Sequence, residues 1–318
     1  MNSRIRAALA ALLVVSVVAG CGSATPPSDP LAEVSAAVPR PEGVVDPAVL
    51  PSAGPAPNCN PRASLRPSSV AAGPAFARIK QRDRLVVGVD QNAFLLSYRD
   101  PATGDLSGFE IDIARAIADA IFGEPGHIEF RAITTADRIP VLQQGKVDIV
   151  IRTMTMTCER WQLVSFSAEY LATRQRLLVR AGSGIKTFAD LGGRKVCATR
   201  GSTSIRTIVR QPSHPIPVTT ESTLDCLVLL QQGQVDAVST IDVLLAALAT
   251  QDPKTRVVGP AESDEPAGVG VAQTEPELVR FVNSVLERYK ADGRWTRSYQ
   301  RWLGRLGAVP KAPTPVYQ

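Results

Sequence analysis

Short apolar runs alternate with helical stripes along most of this chain. The run Leu85–Val89 predicts a buried strand, and apolar residues spaced four apart from Phe109 to Ile121 predict a helix that Gly123 ends. Alternating strands and helices indicate sheets covered by helices on both faces. We expect further strands at 128–130, 147–151, 175–179, 195–198, 217–219, 235–238 and 256–258, and further helices at 136–144, 203–210, 224–232, 243–249, 275–290 and 293–303.

One phrase of the chain occurs twice. Residues 142–150 read Leu-Gln-Gln-Gly-Lys-Val-Asp-Ile-Val, and residues 230–238 read Leu-Gln-Gln-Gly-Gln-Val-Asp-Ala-Val. In each copy a predicted helix ends at a glycine and a strand follows. The ordered part, roughly 230 residues, exceeds what one compact sheet usually needs. Length and repeat together predict two α/β lobes.

The N-terminus has the pattern of an export signal. Arg4 and Arg6 precede an apolar stretch at 7–18 that is too short to span a bilayer, and the sequence Val-Ala-Gly-Cys ends at Cys21. This pattern is typical of a bacterial lipoprotein signal peptide over residues 1–20, with an uncleaved anchor or a chance match as the alternatives. We expect an extracytoplasmic protein anchored to the cell membrane through acylated Cys21, because two acyl chains hold a protein where one is marginal.

Proline marks the segment that follows. Residues 22–77 hold twelve of the 25 prolines and little periodicity, which predicts a tether over residues 21–77 rather than a domain. Loss of the leader removes the positive charges of Arg4 and Arg6, so the formal charge falls from +5 to +3. This modest value, without a basic stripe, indicates neither nucleic-acid binding nor a polybasic membrane patch.

Four cysteines remain after Cys21, and an even count in an exported protein indicates two disulfides. Three connectivities are open, and free thiols are the alternative. We favour Cys197 with Cys226, since both lie within one pair of strand–helix units, and Cys59 with Cys158. No pair has metal-ligand spacing and both histidines are distant in sequence, so we expect no metal site.

The strand predicted at 147–151 ends in the most informative chemistry of the chain. Threonines alternate with methionines after it, and Arg160 follows. Hydroxyls and backbone N–H groups at a strand end, beside a guanidinium, form a receptor for a carboxylate, which arginine can bind bidentately. The alternative is a polar strand end with an exposed arginine.

Strand ends also indicate where a cleft should lie, because ligands of open α/β sheets bind beyond the carboxyl ends of the strands. Ser202 and Thr203 open a predicted helix, and the N–H groups at a helix N-terminus favour an anion. The alternative is that Ser202 merely caps this helix. The expected cleft residues are Asp90 and the segments 152–155, 199–203 and 240–242.

Several motifs in order resemble family 3 of the bacterial extracellular solute-binding proteins. They are Val-Gly-Val-Asp ending at Asp90, Gly-Phe-Glu-Ile-Asp-Ile-Ala at 108–114, Gly-Lys-Val-Asp-Ile-Val at 145–150, Thr-x-Thr-x-x-Arg at 155–160, and the blocks at 201–204 and 235–238. The resemblance covers residues 84–306. It implies an α/β, two-lobe periplasmic-binding-protein fold of type II, each lobe a sheet flanked by helices. Lobe 1 would comprise 78–179 and 268–308, lobe 2 would comprise 180–267, the hinge crossings would lie near 178–180 and 268–272, and 309–318 would be a C-terminal tail. We expect a monomer.

The same resemblance implies roles for single residues toward an amino acid. Arg160 would hold the α-carboxylate, Thr155 would add its N–H and hydroxyl, and the Thr153 carbonyl would accept from the α-ammonium. Family members usually carry an acid where this chain has Ile241, so Asp242 would meet the ammonium instead or would cap the next helix. The other expected contacts are Asp90, Ser202 and Thr203, with Phe94 or Tyr98 over the apolar surface of the ligand.

Arginines determine what we expect of the ligand side chain. Arg152 stands where family members usually have a small residue, and Arg174 and Arg200 are also predicted near the cleft. Further cationic groups suit a side-chain carboxylate, because a desolvated arginine facing a neutral amide is poorly paired. The alternatives are that these arginines pair with protein carboxylates such as Asp90, and that the ligand is glutamine, to which the resemblance points. We expect a polar amino acid (glutamate, aspartate, glutamine or asparagine), with a lean to the acids.

Three functions can use such a cleft. The first is capture of an amino acid for uptake by an ABC transporter permease. The second is sensing, with the signal passed to a membrane signalling protein, and the third is a dehydratase-like enzyme on the same fold. No Ser-His-Asp or Cys-His set supports an enzyme, so we expect neither enzymatic activity nor a cofactor.

Overall fold

The computed structural model describes residues 38–49 and 57–318. The predicted signal peptide over residues 1–20 and the predicted lipidation site Cys21 lie outside the described residues. No helix within the described ranges is long and apolar enough to cross a membrane. The described residues from Arg40 onward, 40–49 and 57–318, form one unit, which contains two lobes.

Lobe 1 contains most of the first half of the described chain. Its elements are β1 (Ala63–Ser64), α1 (Pro74–Gln81), β2 (Leu85–Val89), β3 (Asn92–Ala93), β4 (Ser97–Arg99), β5 (Leu106–Ser107), α2 (Phe109–Phe122), β6 (Ile128–Ala132), α3 (Arg138–Gln143), β7 (Ile149–Val150), α4 (Cys158–Trp161) and β8 (Ser165–Phe166). The small antiparallel sheet β3–β4–β5 and the short helix α4 are elements that periodicity does not predict, because each is too short to show a repeat.

Lobe 2 follows without interruption. Its elements are β9 (Arg174–Arg180), a 3-10 helix (Phe188–Leu191), β10 (Lys195–Thr199), α5 (Thr203–Arg210), β11 (Ile216–Thr220), α6 (Thr223–Gln231), β12 (Ala237–Ile241), α7 (Asp242–Gln251) and β13 (Thr255–Asp264). The chain then returns to lobe 1 with β14 (Gly270–Val271), α8 (Pro276–Ala291), α9 (Arg294–Trp302), a 3-10 helix (Gly304–Leu306) and β15 (Val316–Tyr317).

The two main sheets have the same topology. The strand order is β6-β2-β7-β14-β8 in lobe 1 and β11-β10-β12-β9-β13 in lobe 2. In each sheet the first three strands pair in parallel and the remaining pairings are antiparallel. The repeated phrase ends in β7 in one lobe and in β12 in the other, at the same place in both sheets. The internal repeat therefore marks equivalent units, as predicted.

Apolar side chains cover both faces of each sheet. In lobe 1, Phe109 and Trp295 are fully buried on one face and Phe166 on the other. In lobe 2, Leu178 and Leu177 alternate between the two faces of β9. Burial on both faces explains why these strands are continuous apolar runs instead of alternating patterns.

The chain crosses between the lobes at two adjacent segments, 171–173 and 265–267. These segments pair with each other: the Glu265 N–H donates to the Thr173 carbonyl at 2.8 Å, and the Thr173 hydroxyl donates to the Glu265 carbonyl at 2.6 Å. The two crossings therefore form a short, paired hinge.

The predicted positions of both crossings need correction. Residues 178–180 lie inside β9, within the sheet of lobe 2, and residues 268–272 contain β14, within the sheet of lobe 1. The lobe boundaries predicted at 179–180 and 267–268 shift with them, to 171–173 and 265–267. An apolar run predicts a strand, but it does not show which sheet the strand joins.

Parts of the predicted tether are folded against the lobes. Val45 exchanges backbone hydrogen bonds of 2.9 and 3.0 Å with Thr219 of lobe 2. On lobe 1, β1 pairs with β15 and the Trp161 indole donates to the Pro61 carbonyl at 2.8 Å. The segments 40–49 and 57–77 therefore belong to the folded unit, and β15 ties the predicted tail to lobe 1.

Both favoured disulfides are present. Cys59 is bonded to Cys158, which joins an N-terminal segment to the start of α4. Cys197 is bonded to Cys226, which joins β10 to α6 inside lobe 2. No group of three or more His, Cys, Asp or Glu side chains among the described residues could hold a metal ion.

Candidate functional site

A polar cavity lies between the lobes at the carboxyl ends of β2, β7, β10 and β12. Its volume is about 20 Å³, which by the same measure holds one or two water molecules at roughly 10–15 Å³ each. Hydroxyl groups and two guanidinium groups dominate the lining, which includes Thr155, Thr203, Thr240, Arg138 and Arg152. A cavity this small admits an amino acid only when the lobes separate.

The loop after β7 takes a strained path toward the cavity. Thr153 has a φ of 41°, in the left-handed region that non-glycine residues rarely adopt. Its N–H donates to the buried carboxyl of Glu110 at 2.6 Å, and the Tyr170 hydroxyl donates to the same oxygen. Burial raises the pKa of Glu110 to about 7, although both hydrogen bonds oppose the shift. Glu110 thus holds Thr153 in the conformation that carries it to the cavity.

Arg160 is buried immediately behind the cavity. It lies in α4, where the Thr157 hydroxyl caps the helix by accepting from the Arg160 N–H at 3.2 Å. The guanidinium donates to the Thr155 carbonyl of lobe 1 at 2.7 Å and to the Gly201 carbonyl of lobe 2 at 3.2 Å. Burial lowers the pKa of Arg160 to about 10, with nearby Glu265 acting in the opposite direction. Arg160 is thus a cation that contacts both lobes, although it does not line the cavity itself.

A second buried guanidinium, Arg138, lines the cavity and was not predicted. It donates to the Thr135 carbonyl at 2.9 Å and, at 3.4 Å, to the Gly201 carbonyl across the cleft. Burial holds the pKa of Arg138 well below its usual value, and the charges of Arg160 and Arg152 add to this effect. Arg138 follows β6 at the start of α3, so its place beyond a strand end was the signal that could have identified it.

Arg152 is paired within the protein. Its guanidinium lies 2.7 Å from the Asp90 carboxylate and donates to the Ile133 carbonyl at 2.9 Å. Asp90 also accepts from the backbone N–H groups of the two following residues. Asp90 and Arg152 therefore both line the cavity, but as an ion pair within the protein. Such a pair is the alternative that the sequence left open for Arg152.

Arg174 and Arg200 lie outside the cavity, contrary to expectation. The Arg174 side chain is 65% exposed and sits 3.6 Å from Asp264. The Arg200 side chain is 44% exposed and sits 2.7 Å from Glu221. Each follows or begins a strand near the cleft, but the chain directs each side chain to solvent, so neither supports ligand selectivity.

The second lobe contributes the start of α5. The Ser202 hydroxyl accepts from the Ile205 N–H at 3.3 Å, so Ser202 caps the helix while lining the cavity. Gly201 brings the lobes into contact, because a Cβ there would lie 2.9 Å from the Ala136 Cα and the φ of +75° favours glycine.

Asp242 and Phe94 lie beside the main cavity. The Asp242 carboxylate accepts from the N–H groups of Val243 at 2.9 Å and Arg174 at 3.3 Å, and Thr240 and Ile241 line the cavity in its place. Burial raises the pKa of Asp242. Phe94 packs edge-on against Tyr98 and lines a smaller adjoining cavity.

Glu265, in the second crossing, is another site residue that was not predicted. Its carboxylate accepts hydrogen bonds of 2.7 Å from the hydroxyls of Thr155 and Thr203, which belong to different lobes. No periodic pattern distinguishes it, because it lies in the short irregular segment 265–269 between β13 and β14.

Two α/β lobes joined by paired crossings, with a polar cavity between them, define the two-lobe periplasmic-binding-protein fold. The model of the bacterial extracellular solute-binding proteins, family 3, matches residues 85–305, and the chain belongs to this family. It is a family of solute-binding proteins and not of enzymes, so the dehydratase alternative falls away.

Individual relatives extend this result. The chain is similar to the ABC transporter glutamine-binding protein GlnH of Bacillus subtilis, with 36% identity over 72% of this chain and 84% of that protein. It is similar to the glutamate-binding protein GluB of Corynebacterium glutamicum, with 30% identity over 76% and 86%. A crystal structure of a mutant of ArgBP from T. maritima superposes with a TM-score of 0.68 and 28% identity, covering 72% of this chain and 99% of that one.

Proposed function

We propose that this protein captures a polar amino acid between its lobes for uptake by an ABC transporter. The observation that carries the proposal is a pair of buried guanidinium groups, Arg138 and Arg160, that share the Gly201 carbonyl across the cleft. Neither guanidinium has a carboxylate within 4.0 Å among the described residues, so each is free to bind an anionic group of a ligand. Relatives named for binding glutamine and glutamate support an amino acid as the ligand.

The two guanidinium groups favour a ligand with two carboxylates. Arg160, beside the Thr155 backbone, would hold the α-carboxylate, and Arg138, which lines the cavity, would hold a side-chain carboxylate. A glutamine amide would leave one desolvated guanidinium without an anionic partner, at a cost of roughly 1–3 kcal/mol. We therefore propose glutamate or aspartate over glutamine or asparagine. The basis for this preference is now Arg138, since Arg152 is paired with Asp90 and Arg174 and Arg200 lie outside the cavity.

Closure of the lobes would trap the ligand. Gly201, Ser202 and Thr203 come from lobe 2, while Arg138 and Arg160 come from lobe 1. A ligand that contacts both sets stabilises the closed form, since only differential contacts can shift a conformational equilibrium. Two charge-paired groups are sufficient for micromolar affinity, about −8 kcal/mol, after ordering costs.

The setting that we propose is the outer face of the cell membrane. The lipoprotein pattern ending at Cys21, the paired cysteines and the Glu159-Arg160-Trp161 sequence resemble mycobacterial glutamine-binding lipoproteins. Acylated Cys21 would hold the protein at the membrane, and the ABC permease would receive the amino acid there.

Calorimetry of the chain from Gly22 onward against the twenty amino acids tests this proposal. We expect glutamate and aspartate to bind more tightly than glutamine and asparagine. Binding of glutamine without binding of either acid would overturn the acidic preference, and binding of no amino acid would overturn the function.

Arg160→Ala provides the matching test of the site. The variant should lose nearly all affinity for every amino acid, because the α-carboxylate is common to all of them. Arg200→Ala is the control, because it removes an exposed arginine that lies outside the cavity. This variant should bind amino acids as tightly as the unmodified chain does. Undiminished affinity in Arg160→Ala, with an unchanged melting temperature, would contradict the assignment.

A further inference from the structure

Glu265 connects the hinge to both walls of the cavity. It is 3% exposed, and its Oε2 accepts from the Thr155 Oγ1 and the Thr203 Oγ1, each at 2.7 Å. Its Oε1 accepts from the Ser263 hydroxyl at 2.7 Å. The two threonine oxygens are 3.4 Å apart, and both line the cavity. The carboxylate of this hinge residue therefore accepts three hydroxyl hydrogen bonds, one from Thr155 of lobe 1 and two from Thr203 and Ser263 of lobe 2.

This arrangement fixes the direction of the hydroxyl protons. A threonine hydroxyl has one proton, and a carboxylate can only accept. Since Thr155 and Thr203 both donate to Glu265, their oxygens present lone pairs to the cavity. Two adjacent acceptors suit an ammonium group and oppose a carboxylate. The expectation that the Thr155 hydroxyl helps to hold the α-carboxylate therefore needs correction, and only its backbone N–H remains for that role.

Other carboxylates near the cleft are committed elsewhere. Position 241, where the resemblance implies an acid, is Ile241. Asp242 accepts two backbone N–H groups at the start of α7 and does not line the cavity. Asp90 is paired with Arg152. Glu265 is the buried acid that reaches the cavity through groups able to contact a cation.

We propose that Glu265, acting through the hydroxyls of Thr155 and Thr203, forms the subsite for the α-ammonium of the ligand and replaces the acid absent at Ile241. The inference rests on the proposed function, amino-acid capture. Glu265 is a positioning residue: it orients both hydroxyls and supplies a negative charge behind them. Because Thr155 and Thr203 belong to different lobes, an ammonium between them also favours closure.

The test compares ligands that differ only in the α-amino group. L-Glutamate and glutarate are titrated into the unmodified chain and into Glu265→Gln, and L-glutamine and glutaramate form a second pair. Glu265→Gln keeps acceptor oxygen for the threonines but removes the charge. We expect its affinity for the two amino acids to fall tenfold or more, while its affinity for glutarate and glutaramate is unchanged or higher. Thr203→Val, which removes one acceptor, should show the same selective loss if Glu265→Gln does not fold.

Asp242→Asn is the matched control, because it neutralises another buried acid beside the cleft. It should leave the ratio of amino-acid to desamino affinity unchanged. If Glu265→Gln lost affinity equally for both ligands of each pair, or for neither, the inference would be overturned. A purely structural role would change the affinities for the amino acid and for its desamino analogue by the same factor. Absence of amino-acid binding in the unmodified chain would instead overturn the proposed function, so the two failures are distinguishable.

Discussion

Replacement of Arg138 by glutamine offers a quantitative test of ligand selectivity. Arg138 is fully buried, lines the cavity and contacts only carbonyl oxygens, among them those of Thr135 and Gly201. If its charge holds a side-chain carboxylate, the variant leaves that carboxylate buried and unpaired. Loss of one partner of such a pair costs about 2–5 kcal/mol, which is roughly 30-fold to several thousand-fold in affinity.

The amide ligand should be affected far less. Glutamine brings no side-chain charge to Arg138, so the variant loses about one hydrogen bond, roughly 0.5–1.5 kcal/mol or about 2- to 10-fold in affinity. We therefore expect the glutamate-to-glutamine affinity ratio to fall by about tenfold or more. The fold should survive, because Arg138 has no ion-pair partner among the described residues that the substitution would leave as an unpaired buried charge.

Titration calorimetry with glutamate and glutamine, on Arg138→Gln and on the unmodified chain, measures this ratio directly. Arg200→Gln is the matched control, since that arginine is 44% exposed and pairs with Glu221 away from the cavity. The control should leave the ratio unchanged. Equal losses for glutamate and glutamine in Arg138→Gln would refute the assignment of the side-chain subsite.

Three further predictions concern stability. Glu110 has a pKa of about 7 in the folded protein against about 4.5 when unfolded, so protonated Glu110 contributes to the free energy of unfolding. This contribution is fully present below pH 4.5 and is lost as the pH rises through 7, by about 3 kcal/mol. Glu110→Gln should flatten this pH dependence in urea unfolding, and an unchanged slope of stability against pH would contradict the prediction. Asn283→Ala removes three hydrogen bonds, two of them buried and one of these, from the Ala168 N–H, 2.7 Å long, and should cost about 2–4 kcal/mol by the same assay. Replacement of Asn92, which is exposed, by alanine should cost less than about 0.5 kcal/mol. Replacing Cys59 and Cys158 together by serine should cost about 2–5 kcal/mol, because the bond closes a loop with a sequence separation of 99 residues, and reductant should then have a smaller effect on the variant than on the parent.

Local patterns in the sequence were sufficient for most of the fold. The apolar runs predict β2, β9 and β10, and the spacing from Phe109 to Ile121 with Gly123 predicts α2 as it stands. The helix α5 occupies the predicted range 203–210. Each of these elements is encoded in a short run of adjacent residues, at most the 14 residues of α2, and the repeated phrase shows that such encoding occurs twice. Motif order was likewise enough to indicate the family.

The tertiary structure alone decided the electrostatics of the site. Arg152, Arg174 and Arg200 look alike in sequence, yet one is buried in an ion pair and two reach solvent. Glu265 lacks any local signal, and the place of Arg138 after a strand end does not show its role, because both roles depend on distant partners in lobe 2, Thr203 and Gly201. The sequence by itself determined the main strands and the longer helices, since their periodicity is local, but not the short elements β3, β4, β5 and α4. Which charges meet in the cleft depended on the pairing of distant strands and on closure of two lobes, which no local pattern records.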